Sequence, residues 1–82
     1  MSIDLLNTLE QIHTTPLGIE RIRRNLGLAD QIDVVAWCKD KIREADHIVR
    51  QGKNWYVHIG HVSITVNASS LTIITAHKSK KG

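Results

Sequence analysis

A chain of 82 residues has room for one domain with a modest core. Its apolar fraction of 41% and its charged fraction of 23% are ordinary for a globular protein. No apolar run reaches the length of a membrane-spanning helix and the first residues lack the pattern of a secretory signal, so we expect a cytoplasmic protein with no membrane contact.

The first half of the chain predicts two or three helices. Apolar residues recur there at helical spacing in three stretches: Leu5, Leu6, Leu9 and Ile12; Ile19, Ile22 and Leu26; and Val34, Val35, Cys38, Ile42 and Ala45. Thr15 before Pro16 predicts the start of the second helix, and Gly27 predicts its end. Asp33 is placed to cap the third helix.

The apolar period changes from helical to alternating after Asp46. Four strands are predicted, separated by turns at Gly52, at Gly60 and at residues 68–70. The last strand, residues 71–76, is apolar on both faces, as a central or well-covered strand would be. Because helices precede strands, the order predicts an α+β domain over residues 1–78, with the helices packed on one face of a four-stranded antiparallel meander. Residues 79–82 are expected to form a disordered basic tail.

Charge is divided unevenly between the two halves. Residues 47–82 contain no acidic residue but hold four of the five histidines and five lysines or arginines. Such an asymmetry favours an anionic partner, of which nucleic acid is the usual one. The alternative is that the lysines at the end of the chain only keep the protein soluble.

One face of the predicted sheet is polar. It carries Tyr56, His58, Ser63, Thr65 and Asn67, whereas Trp55, Val57 and Ile59 alternate with them and face the helices. Solvated surface is the ordinary interpretation of such a face. The alternative is an RNA-cleaving site, which needs a general base, a general acid and cations near the phosphate.

Side chains of the second half could supply these functions. His58 would act as base or acid, because histidine changes charge near neutral pH. Arg50 and Lys53 would hold phosphate, Tyr56 would stack on a base, and Asn67 and Thr75 would donate hydrogen bonds.

Neither a metal nor a cofactor is expected. His58 and His61 flank the Gly60 turn with no cysteine or carboxylate nearby to complete a metal site. The sequence has no phosphate-binding loop, dinucleotide fingerprint or Ser-His-Asp signature. Cys38, the single cysteine, excludes an intrachain disulfide and is expected to be a small core residue.

The arginines of the second predicted helix are open to two interpretations. Arg21, Arg23 and Arg24 could contact phosphate or an acidic partner. They could equally form a solvated helix face, partly balanced by Glu20, four residues before Arg24.

Several blocks of the sequence resemble a family of short bacterial and phage proteins. They are His13–Gly18 with Arg21-Ile22 and Asn25-Leu26, Gly52–Val57, Ile64–Ala68 and Thr72–His77. The family is catalogued as domain of unknown function 3781, and the resemblance covers about residues 13–78. It implies a fold rather than an activity.

A looser resemblance is to the barnase–colicin–RelE class of ribonuclease toxins, which place their site on the open face of the sheet. By this resemblance Thr75 and His77 lie where that class often has polar site residues on its last strand. Because the second half offers no acidic general base, His58 or His77 would have to take that role, and any enzyme would be a metal-independent ribonuclease.

Two functional hypotheses from different classes follow. The first is an RNA-binding or ribonuclease-like domain that uses the basic sheet face. The second is a non-enzymatic inhibitor, of the kind that phages or mobile elements carry, which binds an acidic or nucleic-acid-handling host protein. A homodimer with Trp37 and Ile74 along its seam is a further expectation.

Overall fold

The structure, a computed structural model, describes residues 5–78. A 3₁₀ segment at Leu5–Gln11, interrupted at Thr8, is followed by helices α1 (Pro16–Leu26) and α2 (Val34–Arg43). The sheet comprises β1 (His47–Gln51), β2 (Asn54–Ile59), β3 (Val62–Asn67) and β4 (Ile73–Lys78). The predicted α+β architecture is confirmed. The expected basic tail, residues 79–82, lies outside the described residues.

Both α-helices begin at the capping signals read from the sequence, and α1 also ends where the sequence predicts. The Thr15 side chain accepts a hydrogen bond from the Gly18 backbone N–H at 3.0 Å, and Pro16 follows as the first helical residue. Gly27 ends α1 with a φ of 66°, a left-handed conformation that glycine adopts without steric cost. Asp33 caps α2 by accepting from the Ala36 N–H at 3.1 Å.

The sheet is an antiparallel meander in the order β1-β2-β3-β4. Two-residue turns join β1 to β2 and β2 to β3, and each begins with a glycine at positive φ, Gly52 at 62° and Gly60 at 56°. Glycine at the first central position is typical of type II′ turns, whose twist matches that of the flanking strands. These tight turns fix the register of the first three strands.

The core lies between the helices and one face of the sheet. Ile22 and Leu26 of α1 and Ile42 of α2 are buried there, against sheet residues that include Val57, Ile64, Val66, Ile73 and Ala76. Cys38 is wholly inaccessible among them, as expected for a small core residue. Because the helices cover only this face, the other face of the sheet stays open. Within residues 5–78, no helix combines the length and the apolar character needed to cross a membrane.

The last strand is an edge strand, and its edge is covered, so of the two expectations for it the well-covered strand is the one that holds. The Ile73 N–H donates to the His13 carbonyl at 2.7 Å, and the Thr14 hydroxyl donates to the Ile73 carbonyl at 3.0 Å. Further along, the Asn25 amide donates to the Ala76 carbonyl at 3.3 Å. The sequence predicted that this strand is apolar on both faces because Ile73 and Ile74 are adjacent. The pairing of β3 with β4 shifts register near Thr65 and Val66, and there Ile73 is buried whereas Ile74 is 44% exposed.

Candidate nucleic-acid interface

The pairing of the strands aligns histidines in one transverse row on the open face. His47 is directly opposite His58, His58 is opposite Ser63, and Ser63 is opposite His77. We call these four residues the histidine row. It crosses all four strands, and its three imidazoles are exposed. The sequence analysis singled out His58 and His77 but missed His47, because its position in the row depends on the register of β1.

Ser63 is the third residue of this row and lies between the two histidines assigned catalytic roles. Its hydroxyl lies 3.3 Å from Nδ1 of His58, which leaves Nε2 of that ring directed elsewhere. With neighbouring strands about 4.8 Å apart, His58 and His77 start from backbone positions about 10 Å apart. A phosphate group seated over Ser63 would therefore lie between two imidazoles, one on either side.

A second row, beside the histidine row, holds Tyr56 and Thr75. Val49, Tyr56, Thr65 and Thr75 are successive cross-strand partners, and Tyr56 and Thr75 are half-buried. The Asn54 amide lies 3.4 Å from the Tyr56 hydroxyl and donates a hydrogen bond to it. The Tyr56 ring is therefore held in place near the centre of the open face, partly accessible to a ligand.

Asn67, expected to contact nucleic acid, has a structural role at the end of β3. Its side-chain carbonyl accepts hydrogen bonds from the N–H groups of Ser69 and Ser70, each at 2.9 Å, and from the Ser70 hydroxyl at 3.2 Å. Its amide nitrogen donates to Asn54 at 3.5 Å. Asn67 thus lies on the open face, but most of its hydrogen-bonding capacity stabilises the turn that leads to β4.

The structure separates the two basic residues that were assigned to phosphate. Arg50 is opposite Trp55, on the helix-facing side of the sheet, and its guanidinium carbon lies 5.5 Å from the centre of the Trp55 ring. That guanidinium also donates to the Gly52 carbonyl at 3.2 Å. Lys53 lies in the exposed turn between β1 and β2. The residues brought together on the open face are therefore His58, His77, Tyr56, Thr75 and Asn67, without Arg50.

The electrostatics of the open face are set by the lack of carboxylates in the strands. Asp46, just before β1, is the acidic residue nearest in sequence, and its Oδ2 accepts the Gly60 N–H at 2.8 Å. Among residues 5–78, no three histidine, cysteine or acidic side chains are grouped so as to hold a metal ion. The face can therefore offer imidazoles, hydroxyls and amides to an anion, with no negative charge of its own.

The arginine cluster on α1 divides into a structural residue and two exposed ones. The Arg23 guanidinium donates to the backbone carbonyls of Ala29, Asp30 and Ile32, at 3.3, 3.2 and 2.8 Å. It thereby stabilises the loop between α1 and α2. Arg21 and Arg24 instead line an open depression of about 140 Å³ on the outer face of α1, with Leu17 and Glu20.

Cys38 is unsuited to nucleophilic chemistry. Burial raises the pKa of its thiol to about 12, because the thiolate would lose its hydration in the core. The reactive form of the side chain is therefore scarce at neutral pH. This agrees with its expected role as a packing residue.

The fold and this face define a class: a small α+β domain with a helix-covered sheet whose other face is open, polar and free of carboxylates in its strands. A family model described as a protein of unknown function, DUF3781, matches residues 6–77, and the chain belongs to that family. No curated protein and no solved structure matches the chain. The family resemblance read from the sequence is confirmed, whereas the looser resemblance to ribonuclease toxins has no matching structure to support it.

Proposed function

We propose that this protein binds single-stranded RNA on the open face of its sheet. The observation that carries the proposal is the histidine row, which places three exposed imidazoles and a serine hydroxyl in line across four strands. A line of donors across a flat surface suits an extended polyanion better than a compact ligand. The absence of carboxylates from strands β1 to β4 removes the charge that would repel phosphate.

Stacking supplies the second part of the interaction. Sequence-tolerant single-strand binding combines a positive surface with aromatic side chains on which bases stack. Tyr56 is the aromatic residue of the open face, next to the histidine row, and its hydrogen bond with Asn54 holds the ring in position. Lys53, in the adjoining turn, can contact a phosphate as the strand leaves the sheet.

The stronger form of the proposal is that the bound RNA is cleaved without a metal. One imidazole would accept the proton of a ribose 2′-hydroxyl while its oxygen attacks the neighbouring phosphorus. The bond from phosphorus to the 5′-oxygen would break, and the second imidazole, as its imidazolium, would give that oxygen a proton. His58 and His77 on either side of Ser63 suit these two roles, and Thr75 on the adjoining row would donate a hydrogen bond to the phosphate.

Binding is tested by fluorescence anisotropy with a labelled single-stranded RNA of mixed sequence at low salt. Tyr56→Ala is expected to weaken binding about tenfold, since one stacked base contributes about 1–3 kcal/mol. Lys53→Ala should weaken it less and should reduce the dependence on salt. Arg24→Ala on α1 is the control for loss of one positive charge and should bind like the wild type. An absence of binding to the wild-type protein at low salt would overturn the proposal.

Cleavage is tested separately, with the same RNA in the presence of a metal chelator. The expected products end in a 2′,3′-cyclic phosphate, and a DNA strand of the same sequence should be bound but left intact because it lacks the 2′-hydroxyl. His58→Ala and His77→Ala should each slow cleavage by about 10²–10⁴, whereas His61→Ala in the turn should not. RNA that is bound but not cut would reject the catalytic form and leave the binding form standing.

A second candidate function, protein binding, is favoured by the outer face of α1. Leu17 is 73% exposed there and lines the same depression as Arg21 and Arg24, together with Glu20. An exposed apolar residue beside two arginines suits an acidic protein surface. This candidate predicts that a partner captured by the wild-type protein is lost with Leu17→Ser and kept with Tyr56→Ala. The opposite pattern would reject it.

A further inference from the structure

The two edge strands of the sheet differ in whether their outward backbone groups have hydrogen-bond partners. On β4, the outward backbone groups of Ile73 are bonded to His13 and Thr14, and the Ala76 carbonyl accepts from Asn25. The N-terminal segment and α1 thus close that edge. β1 makes its strand contacts with β2 alone, and no described residue lies along its other side in the sheet.

The outward groups of β1 follow from its register. A two-residue turn is closed by a hydrogen-bonded pair, here Gln51 with Asn54, so that Val49 and His47 are the next residues bonded to β2. The alternate residues, Ile48 and Arg50, then direct their N–H and C=O groups away from the sheet. Among residues 5–78 no backbone partner is found for these four groups.

This edge carries only one of the usual features that prevent strands from pairing, an inward charge at Arg50. Natural edge strands are protected by proline, lysine, inward charges or a covering segment. β1 has no proline or lysine, and its one charged side chain, Arg50, is folded back over Trp55 toward β2. At the centre of the strand, Val49 is 48% exposed on the open face.

We propose that two copies of this protein pair through β1, antiparallel, about a two-fold axis at Val49. In that register the outward N–H and C=O groups of Ile48 form hydrogen bonds with those of Arg50 in the second copy. The same groups of Arg50 bond to Ile48 of the second copy, so all the outward groups of the two residues have partners. The two Val49 side chains cover each other on the open face.

The self-complementary register of β1 favours a second copy as the occupant, and its charges do not oppose one. The two-fold register places His47 opposite Gln51 of the other copy and Arg50 opposite Ile48, so no like charges are directly opposed. Both guanidiniums already lie toward their own Trp55, away from the seam. Pairing would join the two sheets into one with eight strands, and their open faces would form one continuous surface. The pairing does not depend on RNA binding.

The test is the solution mass of the protein over a wide range of concentration, by sedimentation. The wild type is expected to rise from the chain mass of 9.2 kDa toward twice that value. Arg50→Pro removes an outward N–H, which a monomer tolerates on an edge strand, and should stay monomeric. Arg50→Ala keeps that N–H and should still dimerise, which makes it the matched control.

A second pair of variants keeps the test decisive if the proline variant misfolds. Val49→Lys should abolish the dimer, whereas Ile74→Lys, at the other exposed β-branched residue of the sheet, should leave it intact. A wild type that stays monomeric at every concentration would overturn the proposal. A dimer that survives Val49→Lys would also overturn it. Loss of the dimer with Ile74→Lys would overturn it as well and would indicate that the seam lies on β4.

Discussion

Arg50 and Trp55 face each other across β1 and β2 on the helix side of the sheet, with the guanidinium carbon 5.5 Å from the ring centre. Because this contact holds the Arg50 guanidinium on the helix side, Arg50 is kept away from a ligand on the open face. Arg50 belongs to the other side, although it lies only three residues from Lys53. The arginine contributes a cation–π contact to the fold.

Replacing Arg50 should therefore affect RNA binding less than replacing Tyr56. We expect Arg50→Ala to change RNA affinity less than twofold and Tyr56→Ala to lower it about tenfold. The RNA affinities of the two variants and the wild type are compared by fluorescence anisotropy, at protein concentrations too low for the proposed dimer to form. A larger loss with Arg50→Ala would mean that the ligand lies at the β1 edge rather than on the open face.

Arg23 should be the arginine of α1 that matters for stability. Its guanidinium donates to three carbonyls of the loop at residues 29–32, so Arg23→Ala is expected to lower the free energy of unfolding by about 1–3 kcal/mol. Arg24→Ala, an exposed neighbour, should change it by less than about 0.5 kcal/mol. Urea denaturation followed by circular dichroism measures both. Equal effects from the two variants would show that the loop contacts contribute nothing.

Gly18 should resist replacement by alanine, although alanine is the better helix former. A Cβ at Gly18 would collide with the Thr14 hydroxyl, which donates to the Ile73 carbonyl at the edge of β4. We expect Gly18→Ala to destabilise the protein instead of gaining the usual ~1 kcal/mol.

A double-variant cycle isolates the cause of this effect. In a Thr14→Ala background the collision with the Thr14 hydroxyl is removed and only a tight approach to the Thr15 hydroxyl, at 3.2 Å, remains, so adding Gly18→Ala should cost much less than it does in the wild type. Thermal unfolding of the four proteins gives the coupling. Additive effects would rule out the clash with Thr14 as the reason.

The Cys38 thiol should be protected from alkylation in the folded protein. It is inaccessible, and its raised pKa of about 12 keeps it protonated at pH 8. Iodoacetamide, followed by mass spectrometry, should modify it only after denaturant unfolds the chain. Rapid modification of the native protein would contradict the buried placement.

The same thiol should make stability fall at alkaline pH. Because folding raises its pKa from 9.0 to about 12, the folded state holds the proton more tightly than the unfolded state does. The contribution of the protonated thiol to the free energy of unfolding is therefore complete below pH 9. It is lost as the pH rises from 9 toward 12, by up to about 1.4 kcal/mol per pH unit. Cys38→Ala serves as the control, since its unfolding should show a smaller alkaline loss over the same range.

Local structure could be predicted from short stretches of the sequence. The caps at Thr15 and Asp33, the stop at Gly27 and the glycine turns at Gly52 and Gly60 are signals carried by one to four neighbouring residues, so the elements they bound were predicted correctly. The alternation in β2 and β3 also assigned the core and open faces, because a two-residue turn leaves little freedom in how those strands pair.

The contacts between distant segments could not be predicted in this way. The histidine row exists because three separate pairings bring His47, His58 and His77 into line. The covered edge of β4 depends on His13 and Thr14, which are close to 60 residues away in the chain. No short pattern encodes such contacts, since they arise from the register of whole strands and from where the N-terminal segment packs against the sheet. The same register left β1 open, and with it the edge at which we expect a second copy to bind.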